Sequence, residues 1–472
     1  MRLHSGTIPF DVEARLLQEL GERLVASSEV ALLELIKNAS DADATECKVF
    51  LGTYRGQPCL SIEDDGIGMS EQHFRDRWMR IATNAKREPL TTKFGRRVTG
   101  QKGIGRFAIR YLGAALKLES FYEDDQGNKT LLEAVFDWRR LDHAQMLSEA
   151  KVAYRVSRAP NNQRCGTRLQ VWRLKEDIVS AVDKQLLTRV LKIASPTSAF
   201  DPGPFKIKPS RGKSQDPGYK VSFFGFPALD DSDADIAKGV LDHAWARLTI
   251  SLNQHSLKYT VRFNGSTDEH ELNIPYVNSL RRGLHADIAF TPRRKDAFVG
   301  APILRNKVWD WLKDNSGIGI IDNGFRIRPY GFKDDDWLYL NQDGAHNRRT
   351  WRSSISEAHF PINTVEQARP KLNPALNLPT GYQLLGSVFV SSRASDQLDE
   401  QDLIPSMDRE GFLDNRAYQQ MVDIVRGGLE YLASIDKSRQ LALEEREAEM
   451  ARLAIRSDLS KTVEALQAVN AG

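Results

Sequence analysis

Two glycine-rich stretches and one short helix pattern hold residues whose types and spacing could bind a nucleotide. Gly100-Gln101-Lys102-Gly103-Ile104-Gly105-Arg106-Phe107 leads into a helical pattern over 105–112. Glycines ahead of a helix start leave backbone N–H groups free, and the helix dipole favours phosphate there. Lys102 adds a cation. The stretch lacks the Gly-Lys-Ser/Thr of a P-loop and does not follow a strand directly, so neither a P-loop nor a Rossmann site fits. In Cys59-Leu-Ser-Ile-Glu-Asp64-Asp65-Gly66-Ile67-Gly68-Met69, strand alternation puts Leu60, Ile62 and Asp64 on one face, which reads as the buried one. A carboxylate at the end of a buried face needs a donor, and an adenine amino group is one. Gly66 and Gly68 would let the backbone turn and approach a ligand closely; a tight turn with an Asp cap is the alternative. In Glu34-Leu-Ile-Lys-Asn38-Ala-Ser-Asp41-Ala42, helical spacing aligns Glu34, Asn38 and Asp41. Alone, this acid–amide stripe also reads as a solvated helix face.

The elements that must position these residues follow from periodicity. A helix is expected over 11–26, with Val12, Leu16, Leu17 and Leu20 on one side, and a second from Ser27 as N-cap to about residue 42, with Glu29 in its first turn. Strands are expected at 46–52, 58–63, 114–122, 131–137, 151–157 and 167–174, and further helices at 70–82 and 176–194. Pro196, Pro202, Pro204, Pro209 and Pro217 mark a break. This gives an expected domain at 1–193, a Pro-rich connection at 194–219, a second α/β domain at 220–435 and a terminal helix at 436–472. In that helix Leu443, Met450, Leu453, Leu459, Val463 and Leu466 are only loosely periodic. Packing on its own chain and a dimeric coiled coil both remain open.

Composition sets the frame. The chain has 472 residues, enough for two or three domains, with 41% hydrophobic and 27% charged residues, a globular balance. No stretch approaches the ~18 apolar residues of a membrane span, and MRLHSGTIPF has no apolar core of a secretory signal. Cys47, Cys59 and Cys165 match no zinc or redox spacing. The expectation is a cytoplasmic protein in a reducing compartment, without membrane contact. Lys+Arg 66 against Asp+Glu 63 gives +3, which neither demands nor excludes a polyanion.

The three stretches occur in order between residues 34 and 105, and Gly166-Thr167-Arg-Leu-Gln-Val follows on a strand. The combination resembles the GHKL ATPase superfamily of gyrase-type topoisomerases, ninety-kilodalton heat-shock chaperones, histidine kinases and MutL, with the MORC proteins close by. The resemblance implies a Bergerat-type α/β sandwich that binds ATP with Mg²⁺. It implies Glu34 as the general base that activates water, and Asn38 as the Mg²⁺ ligand through its amide oxygen. It places Asp41 in the same box. Asp64 would accept from the adenine amino group with Thr167 in support, and Gly66, Gly68 and Met69 would form the first glycine box. Gly100, Lys102, Gly103, Ile104 and Gly105 would form the lid over the phosphates. Thr83, Asn84 and Lys86 stand where the family often has small polar residues and a lysine; ordinary helix capping is an equal reading.

Histidine kinases usually lack the N-box glutamate and carry a phosphorylated histidine on a preceding helix. Only His4 precedes the module here, and His270-Glu271 lies after it. The hydrolysing branch is therefore expected, with an α/β transducer-like second domain. Ile288-Ala-Phe290-Thr-Pro292-Arg293-Arg294-Lys-Asp-Ala-Phe298 resembles the chaperone middle domain. Met407-Asp408-Arg409-Glu410-Gly411-Phe412 resembles that domain's catalytic loop, with Gly411-Phe412 departing from it. Arg409 is thus the candidate for the γ-phosphate, an N-terminal helix ion pair being the alternative. The run from Asp322 to Trp337 resembles bacterial MORC-like members described only as ATP-binding proteins.

Expected partners follow from the same resemblance: a homodimer formed on ATP binding, and either DNA or RNA or a protein client. Arg281-Arg282, Arg293-Arg294-Lys295 and Arg348-Arg349-Arg352 lie among Trp309, Trp311, Trp337 and Trp351. That grouping reads either as a nucleic-acid surface or as core-and-rim packing.

Overall fold

Ser27 starts the helix that the site depends on. Its backbone is extended, and its Oγ accepts from Val30 N at 3.4 Å, so the first turn is capped. Helix α1 (Ser28–Asp41) then buries Val30, Ala31, Leu32, Leu33, Leu35, Ile36 and Ala39. Each large aliphatic side chain so buried contributes about 1.5–3 kcal/mol. In this computed structural model the described residues are 11–19, 27–81, 92–96, 98, 107–175, 200–205, 216–225, 239–277, 280, 282–294, 297–298, 305–332, 335–392, 402–406 and 411–470.

The chain divides into two compact units: Met1–Asp235 with Gly319–Pro329 and Ser387–Asn415, and Ile236–Ile318 with Tyr330–Gly386 and Arg416–Gly472. The first unit carries a 7-stranded sheet built from β1 (Glu46–Tyr54), β2 (Gln57–Asp64), β3 (Gly113–Glu123), β4 (Lys129–Asp137), β5 (Ala153–Arg158), β6 (Gly166–Leu174) and β7 (Lys220–Phe224). Their order is β5-β4-β3-β6-β2-β1-β7. All pairs are antiparallel except β1 with β7, which makes the sheet mixed. Alternation is clear on β3, where Leu116, Leu118, Ser120 and Tyr122 point inward. Helix α1 packs against α2 (Ala108–Leu112) and over β1 and β2. This is the α/β sandwich expected from the sequence.

In the second unit β8 (Ala246–Leu252), β9 (Ser256–Phe263), β10 (Glu269–Pro275) and β11 (Leu284–Phe290) form an antiparallel run in the order β10-β9-β8-β11. Helix α3 (Arg305–Asn315) and the 55-residue α4 (Arg416–Asn470) belong to the same unit. Met421, Ile424, Val425, Leu429 and Leu432 of α4 are buried. Arg426 joins it to the rest of the unit through Asp343 (2.6 Å) and Leu338 O (2.7 Å), and is held within the helix by Glu430 (2.8 Å).

Three boundaries differ from the linear division. Residues 220–224 are β7 of the first sheet rather than the start of the second domain, because Cys47↔Val221 and Val49↔Phe223 pair in parallel register. The end of the Pro-rich connection also returns to the first unit: Asp216 pairs with Arg96 (2.6 Å), and Tyr219 Oη donates to Ile36 O (2.6 Å). The terminal helix begins at Arg416, not 436, because the buried stripe of its first turns continues without a break. Packing on its own chain covers only that first part; residues 442–463 are exposed on every side. The helix expected at 70–82 is one turn, Glu71–His73, capped by Ser70 and followed by a π-turn over Phe74–Trp78. The helix expected at 176–194 and most of that at 11–26 lie outside the described residues.

Candidate nucleotide site

Asp64 ends β2, where its side chain leaves the buried face beside Leu60 and Ile62. Its Oδ1 accepts from Gly66 N at 2.9 Å and from Thr167 N at 3.3 Å. Among the described residues Oδ2 accepts no hydrogen bond. Burial pushes the carboxyl up to about 7, with the Asp65 charge adding to it and the two N–H bonds opposing. A carboxylate this short of donors fits a ligand that presents an N–H, such as an adenine amino group.

The turn after Asp64 is fixed by its glycines. Gly68 has φ +72, and a Cβ there would sit 2.0 Å from Phe121 O. A Cβ on Gly66 would sit 2.6 Å from Ala42 O. At both positions an added side chain would meet the protein's own backbone, so the turn requires glycine there. Ile67 N donates to Ala42 O at 2.9 Å, which joins the end of α1 to the glycine turn. Met69 N donates to Ser120 Oγ at 2.7 Å, and Ser120 Oγ lies 3.1 Å from Thr167 Oγ1. Thr167 thus reaches Asp64 through its backbone and the glycine box through its hydroxyl. Asp65 turns away and caps the next loop, accepting from Thr45 N (2.7 Å) and Glu46 N (2.8 Å).

Glu34, Asn38 and Asp41 all lie on α1, with Glu34 buried and the other two half-buried. Lys37 Nζ lies 3.7 Å from Glu34 Oε1. Burial lowers the Lys37 ammonium from its usual value, against the opposing charges of Asp322 and Asp41. Asn38 offers an amide oxygen of the kind hard cations take. Among the described residues, no three His, Cys, Asp or Glu side chains gather to hold a metal ion. Asp43, just past α1, accepts from Lys93 N (2.6 Å) and Phe94 N (3.2 Å), which ties the stretch before the second glycine box to the end of the helix.

The structure therefore brings together Asp64, Gly66, Gly68, Met69 and Thr167, and connects them through Ala42 to the helix of Glu34, Asn38 and Asp41. Thr83, Asn84, Lys86, Gly100, Lys102, Gly103, Ile104, Gly105 and Arg409 lie outside the described residues. Sequence reasoning missed Ser120, although a serine in register with Leu116 and Leu118 on an apolar strand face is a readable signal. It also missed Cys47, which pairs opposite Asp64. Burial first, then the Asp64 charge, pushes the Cys47 thiol upward.

Several described residues of the basic and tryptophan-rich clusters of the second unit are used internally, while Arg281 and Lys295 lie outside the described residues. Arg294 is paired with Asp436, Arg352 with Asp343 at 2.7 Å, and Arg348 with the carbonyls of Thr350 and Trp351. Trp351 is 2% exposed, and Trp337 Nε1 donates to Ile318 O at 3.0 Å. Among the described residues no helix is long and apolar enough to cross a membrane.

Against known proteins, residues 26–167 match the family model described as Histidine kinase-, DNA gyrase B-, and HSP90-like ATPase. A stretch of 93 residues is 38% identical to the "Putative type II restriction enzyme HgiDII" of Herpetosiphon aurantiacus, covering 20% of this chain and 15% of that protein. Another, of 137 residues, is 31% identical to the chaperone protein HtpG of Rhodopseudomonas palustris (strain HaA2), covering 25% of this chain and 22% of that protein. The chain thus spans less than a quarter of the length of either relative. The matched segment contains α1, the Asp64 turn and Thr167, so residues 26–167 of this chain are similar to the histidine kinase-, DNA gyrase B- and HSP90-like ATPases, the GHKL superfamily.

Proposed function

We propose that the chain is a Mg²⁺-dependent ATPase that works as an ATP-operated dimer clamp. The observation that carries this reading is the hydrogen bond from Ile67 N to Ala42 O. It joins the helix bearing Glu34 and Asn38 directly to the turn beneath Asp64. The helix and the turn would then together present a carboxylate for the adenine amino group, an amide oxygen for Mg²⁺ and a carboxylate base.

In this reading Asp64 selects adenine, with Thr167 and Ser120 holding its surroundings in place. Asn38 holds Mg²⁺, and Asp41 supports that end of the helix. Mg²⁺ held there would supply positive charge against the phosphate oxygens. Glu34 takes the proton of the attacking water. Lys86 and the lid from Gly100 through Lys102, Gly103 and Ile104 to Gly105 close over the phosphates, and Arg409 meets the charge that develops on the γ-phosphate. ATP closes the dimer; loss of the γ-phosphate contacts reopens it.

For what the clamp acts on, DNA is the first reading, in a genome-defence setting, supported by the likeness to a protein named as a restriction enzyme. A client-remodelling role is the second, supported by the likeness to HtpG. The test is ATP turnover against protein concentration, with and without DNA, at several salt concentrations. The clamp requires specific activity that rises with concentration. DNA as its target requires stimulation that fades with salt. Activity independent of concentration rejects the clamp, and absence of DNA binding at low salt turns attention to ATP-dependent suppression of aggregation.

A further inference from the structure

Lys37 follows Glu34 by three residues on α1, and its Nζ lies 3.7 Å from Glu34 Oε1. The two side chains are 19% and 6% exposed. With so little water around the pair, its attraction is screened far less than at a surface. The same ammonium faces the hairpin of β12 (Gly317–Asp322) and β13 (Phe325–Ile327). It lies 5.5 Å from the centre of the Phe325 ring and within the field of Asp322. Asp41 is the other acidic group acting on it, from α1 itself.

Asp322 is fixed in its turn. Its Oδ1 accepts from Ser392 N at 2.6 Å and from Asn323 Nδ2 at 3.0 Å, and its Oδ2 accepts from Ser392 Oγ. Farther along the same hairpin, Arg328 Nη1 donates to Ser27 Oγ at 3.3 Å and lies 3.8 Å from Glu29 Oε2. The hairpin thus grips α1 at its capped start and again at Lys37, on either side of Glu34.

We propose that Lys37 is a positioning residue for the base Glu34, its ammonium set against the Phe325 ring of the hairpin so that the Glu34 carboxylate is fixed where water is activated. The proposal rests on the reading of Glu34 as the base. It assigns Lys37 an effect on turnover and none on nucleotide affinity, because its contacts run to Glu34 and the hairpin and not to the Asp64 pocket.

The experiment uses the full chain and compares wild type, Glu34→Ala, Lys37→Met, Lys37→Arg and Asp322→Asn, and the double variant of Lys37→Met with Asp322→Asn. For each, kcat and KM for ATP with Mg²⁺, the Kd for ATP and the melting temperature are measured. Lys37→Met should lower kcat by about tenfold or more, with KM and Kd within about twofold of wild type. Lys37→Arg should restore most of the rate. Asp322→Asn should lower kcat by itself and add little in the double variant, because the Asp322 charge acts on Glu34 only through the Lys37 ammonium. An unchanged or raised kcat in Lys37→Met, or equal losses in the Met and Arg variants, would overturn the proposal. If Lys37→Met fails to fold, Asp322→Asn and Lys37→Arg decide it: a loss with the first and near wild-type rate with the second support it, and any other pair of results rejects it. Glu34→Ala separates the two levels, since wild-type turnover in that variant overturns the base assignment itself.

Discussion

Thr167 N donates to Asp64 Oδ1 at 3.3 Å across the β2–β6 pair, and no described residue donates to Asp64 Oδ2. One oxygen thus serves the fold, and in the proposed function the other meets the adenine amino group. Replacing Asp64 by Asn keeps an acceptor for the two backbone N–H groups but can turn an NH₂ toward the adenine amino group. Asp64→Asn should weaken ATP binding by about 10- to 100-fold, read by isothermal titration calorimetry. Binding within about twofold of wild type would remove Asp64 from adenine recognition.

The same carboxyl links binding to pH. Burial raises it to about 7 in the folded protein, while an adenine amino donor favours the ionised form. ATP binding should therefore release a proton near and below neutrality, and affinity should rise with pH up to about 7. The stability linkage has the opposite sense. A carboxyl raised on folding gives its full stabilisation below the unfolded value of about 3.9, and that contribution is lost as pH climbs to about 7. Asp64→Asn should remove both effects. Calorimetry in buffers of different ionisation enthalpy reads the proton release, and melting against pH reads the linkage.

Asp216 gives the complementary acid sensitivity. Burial works to raise its carboxyl, but the Arg96 guanidinium and the N–H of Gly218 outweigh it and hold the group below the usual carboxylate range. A carboxyl depressed on folding stabilises above the unfolded value of about 3.9 and loses that contribution as pH falls through its own lower value. Arg96 is 4% exposed and also donates to Gly218 O at 2.8 Å. Removing the partner by Asp216→Ala leaves a buried cation and should cost about 3 kcal/mol, measured by urea unfolding. A loss below about 0.5 kcal/mol would show that water compensates Arg96 fully.

Glycines of the first box should separate by surroundings. Gly68→Ala combines a left-handed φ of +72 with a Cβ placed 2.0 Å from Phe121 O, and should cost about 2 kcal/mol or more. Gly52, on β1, has nothing within 4 Å of an added Cβ, so Gly52→Ala should fall within about 0.5 kcal/mol of wild type. Equal losses in the two would contradict a steric role for Gly68.

Much of the first unit was legible because its signals are local. Ser27 could be read as an N-cap from its place ahead of Glu29, and the strands at 46–54 and 113–123 follow alternation that burial enforces, whereas 57–64 is buried on both faces from Cys59 to Ile62. Asp64 stood out as a carboxylate closing an apolar strand face. Ser120 and Lys37 were less visible because their partners are distant: Met69 and Thr167 for one, Asp322 and Phe325 for the other. The return of β7 to β1 was hidden for the same reason, since the prolines of 194–217 mark a break in regular structure but carry no information on where the chain goes next. The early start of α4 was masked by Gly427-Gly428, which interrupt a helical pattern; a Cβ on Gly428 would lie 2.6 Å from Ile250 Cδ1, so close packing accounts for that glycine.

In the proposed function Asp64 binds the nucleotide while Glu34 drives its hydrolysis. The direct measurement is phosphate release in a single turnover by wild type and Glu34→Ala, with the Kd for ATP determined for both. Equal Kd values and a rate lower by about 10²-fold or more in Glu34→Ala are expected. Phosphate release at the wild-type rate in that variant, with ATP bound equally well, would contradict this reading.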